Sequence, residues 1–375
     1  MPRTEIRPVR TAAELKAFIN LAWDLYAGDP KWVPPIKSEQ AALLTPGRHP
    51  FWSFSRRELF LAWRAMRPVG RIAAIVDGNH NRHHQERMGI WGFFECPNDP
   101  EVAAALFQAC ERWLFAEGMT FARGPLNPSM NYEIGTLVQG FDSPPALGMT
   151  YNPPYYADLA HLCGYRKEKD VVAYVVGRDM PMPPWAVDLA RRIAERGEFA
   201  IITADRRHLT SQLHLLNQIY NECWSRNWGF VPMTDEEIDD SARLLKHFAD
   251  LDLAFGVRHG DTPVGVCLLL PDINPLLRRF NGKLGLQALV KSRLYRSEVT
   301  GLRGLIFGVK EEYRQMGLPF FVFDHLLHVL EGKPQYRTIE LGWDLEDNDA
   351  INFLYEEGGL RAQKRWRLFR KDLRA

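Results

Sequence analysis

The chain has 375 residues, of which 46% are apolar and 25% charged, an ordinary globular mixture that excludes a fibrous or wholly disordered protein. Its length suits two domains of roughly 100–200 residues each. Basic and acidic side chains nearly cancel, 47 − 46 = +1, so no global field recruits nucleic acid. Five scattered cysteines, Cys96, Cys110, Cys163, Cys223 and Cys267, form no CxxC pair. They fit a reducing compartment and no thiolate metal site. The N-terminus lacks a signal-type apolar core, and no run of about 18 apolar residues occurs. A soluble cytoplasmic protein is expected, at most peripheral to the inner face of the membrane.

In chain order, the first half reads as an edge strand at 4–9, then an amphipathic helix in LKAFINLAWDLY. Strands ELFLAWR, VGRIAAIVD and MGIWGFF follow, then a helix over Asp99–Glu117 and the strand FARGPL. The second half repeats this order. PVGRIAAIVD begins at Pro68 and PVGVCLLLPD at Pro263, an offset of 195; GYRKEKDVVAY at Gly164 and GLRAQKRWRLF at Gly359 share it. Between these anchors Gly89 and Gly304 differ by 215, so each half carries its own insertion of about 20 residues. One lies near 126–151 and the other near 274–303. The expectation is an α/β fold with a mixed (α+β) sheet, built as two copies of one unit. Residues 1–178 and 197–375 form the copies, and the proline-rich linker with its helix spans 179–196. Each copy is expected to end in a short helix and a pair of strands. The strands FARGPL and TIELGW follow helices and should run parallel to the strands before them.

In the second half, VKEEYRQMGLPFFVFDHLLH places Arg314, Gln315, Met316, Gly317 and Leu318 between a strand end and a long helix. This resembles the Q/R-x-x-G-x-G/A motif of the GCN5-related N-acetyltransferase (GNAT) superfamily. In that family the turn and helix N-terminus hold the pyrophosphate of an acyl-CoA. Pro319 stands where the motif has Gly or Ala. The segment DLEDNDAINFLYEEGGLRAQ is similar to the family's N-x-x-A-x-x-x-Y ending, with Asn348 at the helix start and Tyr355 at the tyrosine. The first copy has FFECPNDPE at the motif position, without Arg or glycine turn, so CoA is expected in the second copy alone. The resemblance implies a tandem GNAT protein, an acetyl-CoA or longer acyl-CoA co-substrate, an amine acceptor and no metal. Under it, backbone N–H groups of Phe307, Gly308 and Val309 polarise the thioester. Tyr355 is then the acid that protonates the thiolate, or otherwise a core aromatic. Glu340, in an apolar strand, is either the general base or a structural ion-pair partner.

Other features carry two readings each. The first-copy insertion offers Asn127, Asn131, Glu133, Tyr151, Tyr155 and Tyr156 as an acceptor pocket, or packs on itself. The second-copy insertion has seven cations opposed only by Glu298, interleaved with leucines. It suits an anionic membrane, an acyl carrier protein or a long acyl chain, or else is a flap over the sheet. DGNHNRHHQER reads as a polar hairpin loop rather than a metal site. The favoured function is acyl-CoA-dependent N-acyl transfer. The alternative is a non-catalytic protein that binds acyl-CoA or acyl carrier protein.

Overall fold

The computed structural model describes residues 3–180 and 182–374; Pro181, within the linker, lies outside them. The first copy opens with β1 (Glu5–Pro8), α1 (Ala12–Leu25), α2 (Lys37–Leu43), β2 (Ser55–Arg64) and β3 (Arg67–Asp77). It continues through α3 (Gly78–His84), β4 (Met88–Glu95), α4 (Pro100–Ala116) and β5 (Phe121–Gly124). Its insertion holds three short strands, β6 (Leu126–Asn127), β7 (Glu133–Ile134) and β8 (Thr136–Gln139). The copy ends with α5 (Tyr156–Leu162) and β9 (Arg166–Gly177).

The second copy repeats the plan after a linker helix, α6 (Pro184–Arg196). It runs β10 (Phe199–Thr203), α7 (Leu209–Trp224), α8 (Asp235–Phe248), β11 (Ala254–His259) and β12 (Thr262–Pro271). The insertion forms α9 (Asn274–Phe280) and α10 (Leu286–Leu294), followed by β13 (Gly301–Val309). Then come α11 (Glu311–Arg314), α12 (Leu318–Glu331), β14 (Thr338–Leu345), α13 (Asp349–Glu357) and β15 (Lys364–Asp372).

Local chemistry accounts for the boundaries. Thr11 and Glu14 close a capping box at α1, and Asp99 caps α4 ahead of Pro100. The expected polar hairpin at Asp77–Arg87 is instead helix α3. Asp77 takes the N–H groups of Asn79 and His80 on one carboxylate oxygen, which starts a turn of helix where a loop was expected. His80 is buried there, and desolvation pushes its pKa down to about 2, so its ring is neutral.

All the principal strands join one sheet, in the order β1-β2-β3-β4-β5-β15-β9-β14-β13-β12-β11-β10. The two middle strands are exchanged. β15 of the second copy pairs with β5 of the first, and β9 of the first pairs with β14 of the second. β9 and β15 also pair with each other, antiparallel. The expected terminal pair within each copy is therefore a single long strand from each. Asp170, the one turn-favouring residue inside RKEKDVVAYVVG, is paired with Arg367 in the ladder and opens no turn, and KRWRLFRKD has its only such residue at its end. The β4–β5 and β13–β14 pairs are parallel, as expected from the helices that connect them.

The exchange is buried and charge-matched. Trp366 and Leu368 of β15 lie in the same core cluster as Leu59, Leu61, Ala73 and Ile90 of the first copy. Asp170 on β9 is 1% exposed and accepts two hydrogen bonds from Arg367 across the strand pair, at 2.8 and 3.0 Å. The Trp366 indole donates to Thr150 O at 2.9 Å. Trp366→Ala should cost about 3–5 kcal/mol. Because the lost contacts belong to both copies, chemical denaturation should shift as one transition. Two separated transitions, with one copy unaffected, would contradict a shared core.

Candidate functional site

The parallel pair β13–β14 is hydrogen-bonded only where Gly301–Arg303 faces Thr338–Glu340. Beyond that the two strands diverge. Each also departs from regular register on its other side, β13 at Leu305 against β12 and β14 between Gly342 and Asp344 against β9. The gap opens into a cavity of about 500 Å³. Its floor is Gly304–Phe307 and Leu341–Leu345, with Asn348 just before α13 and Ile351 and Tyr355 within it. Leu213, Tyr220 and Trp224 of α7 form one wall, and Asn127, Met130, Asn131, Tyr132 and Glu133 of the first copy form another. The lining is mostly apolar with a few polar groups, the usual character of a small-molecule site.

The first copy contains the same splay in closed form. β4 and β5 pair only over Met88–Ile90 and Phe121–Arg123. The first copy's own chain then enters the gap. A Cβ at Gly92 would stand 1.9 Å from Leu126 O, and the Phe93 N–H donates to Asn127 Oδ1 at 2.6 Å. The α4 N-terminus is closed as well. Asp99 accepts from Glu101 N and Val102 N and pairs with Arg64. A carboxylate of the chain already stands where an incoming phosphate would meet the helix dipole. In the second copy α12 starts at Leu318 after Gly317 (φ 81°) with no side-chain cap.

The sequence-predicted residues divide. Phe307, Asn348, Tyr355, Asn127, Asn131 and Glu133 line the one cavity. Gly308 and Val309 lie beyond its end, where the Trp224 ring covers Gly308 so closely that a Cβ there would be 2.2 Å away. Arg314, Gln315 and Met316 are exposed, whereas Gly317 and Leu318 are buried; none of the five lines the cavity. The Met316 and Gly317 N–H groups close turns onto Tyr313 O and Arg314 O. Arg314 donates to Val309 O at 2.8 Å. Tyr151, Tyr155 and Tyr156 are not on the wall: their hydroxyls donate to Asp29, Cys96 O and Glu95 within the first copy. Glu95 is buried with Tyr156 and Arg71, and desolvation raises its pKa.

Glu340 sits in a buried ion pair. Lys364 of β15 donates to Glu340 Oε2 at 2.8 Å and to Pro144 O at 2.6 Å, and Arg303 stands 3.7 Å from Glu340 Oε1. The side chain is paired with Lys364 while its Oε1 makes no hydrogen bond, and it lines a separate small pocket rather than this cavity. Lys364→Met should destabilise the protein by roughly 3 kcal/mol, because a buried charge loses its closest partner. An unchanged denaturation midpoint would remove this pair from the account.

The sequence reading missed Asp344. It lines the cavity where β14 resumes its pairing with β9 past the irregularity at Trp343, and its Oδ2 is buried without a hydrogen-bond partner. Desolvation raises its pKa to about 6, against the pull of Arg303. Tyr355, on the same wall, has its pKa raised chiefly by burial and then by Asp344; its ring lies 4.7 Å from that of Tyr174. Across the cavity Glu133 is also raised, by burial first, with Asn127 as a distant hydrogen-bond partner at 3.5 Å. No group of three or more metal-ligating side chains occurs among the described residues.

No protein-family model matches the sequence. The bacterial ceramide synthase of Caulobacter vibrioides (strain NA1000 / CB15N) is 34% identical over 377 residues, covering 98% of this chain and 97% of that protein. Protein YghO of Escherichia coli (strain K12) is 31% identical over 379 residues, covering 98% and 95%. A solved tandem GNAT protein from the clavulanic acid biosynthesis pathway superposes over 100% of this chain and 99% of its own. Its TM-score is 0.55 at 12% identity, a likeness of fold. The full-length similarity places the chain in the family that includes the Caulobacter ceramide synthase and YghO, and the repeated unit with its splayed parallel strands has the tandem GNAT fold.

Proposed function

We propose that this protein is an N-acyltransferase that moves an acyl group from a CoA thioester, held by the second copy, to an amine held between the copies. The observation that carries the reading is Asp344: a carboxylate with a free oxygen and a pKa near 6, at the mouth of an open strand splay in an apolar cavity. A base poised near working pH is what amine acylation requires. The thioester enters between β13 and β14, where the unpaired edge around Ile306 and Phe307 supplies backbone donors to the carbonyl oxygen. Asp344 takes the proton as the amine nitrogen bonds to the carbonyl carbon. The C–S bond then breaks, and Tyr355, kept protonated by burial, gives its proton to the departing thiolate. The diphosphate lies outside the cavity near Arg314, Gly317 and the uncapped start of α12.

The acceptor reading rests on two supports. Asn127, Asn131 and Glu133 present polar groups to the cavity opposite Asp344, and Glu133 suits an ammonium. The relative named a ceramide synthase points to an amine on a long-chain base, and the apolar walls suit alkyl chains on donor and acceptor. A long acyl group is favoured over acetyl on the same ground. The cationic insertion fits delivery of such substrates from an anionic membrane or an acyl carrier protein. The inward-turned Met316 and Gly317 amides favour one alternative, a protein that binds acyl-CoA or acyl carrier protein without turnover.

Thiol release from acetyl-, octanoyl- and palmitoyl-CoA with a panel of short and long-chain amines tests the reading. Release that depends on both a long acyl chain and a long-chain amine is expected; binding without release across the panel supports the alternative. The base must be ionised, so kcat/KM should rise with pH through an acid limb near pH 6. Asp344→Asn should abolish that limb and lower turnover 10²–10⁴-fold. Glu340→Gln should leave turnover within a few-fold, since Lys364 still finds an oxygen. The reverse outcome would make Glu340 the base. Tyr355→Phe should lower kcat far more than it raises KM for acyl-CoA.

A further inference from the structure

The second-copy insertion is latched onto the first copy at one end and projects at the other. Asn274 Nδ2 donates to Pro145 O at 2.7 Å, and the Trp23 indole donates to Asn281 Oδ1 at 2.8 Å. Gly282 (φ 78°) lies so close to Trp23 that a Cβ would meet its ring at 2.5 Å, and its carbonyl accepts from Lys37 N. The chain then leaves the body as α10.

That helix is turned inside out. Ala288 is its buried contact, while Leu286, Leu289, Val290 and Leu294 are 79%, 55%, 51% and 69% exposed. These four follow helical spacing i, i+3, i+4, i+8 on the face away from Ala288. Leu284, 53% exposed, extends the stripe toward the latch. A helix docked as a flap over a sheet buries its apolar stripe, and this one presents it outward.

Cations accompany the stripe. Residues 278–298 hold Arg278, Arg279, Lys283, Lys291, Arg293 and Arg296 against Glu298 alone, 6 − 1 = +5 in a protein whose total is +1. Arg279 is engaged by Glu298 at 2.8 Å and by the Tyr295 ring, and Lys291 Nζ holds Arg279 O. Lys283, Arg293 and Arg296 are exposed beside the leucines. An outward apolar stripe, with Arg293 set among its leucines and Lys283 and Arg296 beyond its ends, matches one partner in both chemistry and shape. That partner is an anionic bilayer, into whose interface leucines insert while Lys and Arg meet the headgroups. A stable protein interface recruits roughly 20–30 residues a side, far more than one nine-residue helix presents.

We propose that α10 is a membrane-contact helix that lies in the interface of an anionic bilayer. This is independent of the acyl-transfer reading, because it is read by vesicle binding with no substrate present. The full-length protein should sediment with phosphatidylglycerol-containing vesicles at low salt, be released by high salt, and ignore pure phosphatidylcholine. Lys283→Gln, Arg293→Gln and Arg296→Gln together should weaken partitioning about 100-fold, at about fivefold per cation. Leu286→Ser, Leu289→Ser and Leu294→Ser together should lose it at every salt concentration. Both triple variants should keep the wild-type near-ultraviolet circular dichroism, since none of the six side chains is buried. Absence of vesicle binding by the parent protein would overturn the proposal. So would binding that survives both variants, or capture of an acidic carrier protein through α10 without vesicle association.

Discussion

The pairing of β9 with β15 is the constraint on which the rest of the structure depends. Each copy supplies a run of five strands and completes it with the last strand of the other. A sheet closed in this way leaves β1 and β10 as its two end strands, far apart, and converts what would be two half-covered edges into a buried centre. The buried charges follow from it. Asp170 meets Arg367 because the exchanged strands run side by side, and Lys364 of β15 reaches Glu340 of β14 across the intervening β9. Lys364 also holds Pro144 O, so the first-copy insertion is tied to the same point. Such ion pairs add little net stability, but losing either partner is costly, so they favour one register.

Exchange also explains how two copies of one unit come to serve a single cavity. The parallel splay exists twice, but the first copy fills its own with Leu126 and Asn127 and caps its helix with Asp99. The insertion that does so then continues through Asn131 and Glu133 to the open splay of the second copy, where it becomes a wall. Asn131 donates to Val231 O there, joining the copies directly. One insertion thus closes one site and shapes the other. The second copy's insertion makes the opposite use of its length, gripping the first copy at Trp23 and leaving α10 exposed.

Much of this was legible in the sequence, and the pattern of what was not has physical reasons. The repeat, both insertions, the Asp99-capped helix and the parallel strands each follow from local spacing or from residues that start or stop elements. The strand exchange leaves no local mark. β9 and β15 would look the same paired within a copy or across copies, so the sequence suited a terminal pair of strands in each copy as well as one long exchanged strand. Helix α3 was missed because one carboxylate, Asp77, outweighs a run of loop-forming residues. In the cavity, Glu340 attracted notice as an acid in an apolar strand. Asp344, four residues on, looked like part of the polar run after TIELGW. A register shift and the proximity of Arg303 give it its character, and neither can be read along the chain. The three tyrosines mark a loop that packs inward, which composition does not separate from a pocket wall.

The central claim is that the two splays have opposite fates, closed in the first copy and open to an acyl thioester in the second. Hydrogen–deuterium exchange of the full-length protein with and without a non-hydrolysable palmitoyl-CoA thioether tests it most directly. The account expects new protection over Gly304–Phe307 and Leu341–Leu345, with Met88–Glu95 and Phe121–Gly124 unchanged. Protection confined to the first-copy segments, or none in either splay at saturating ligand, would contradict it.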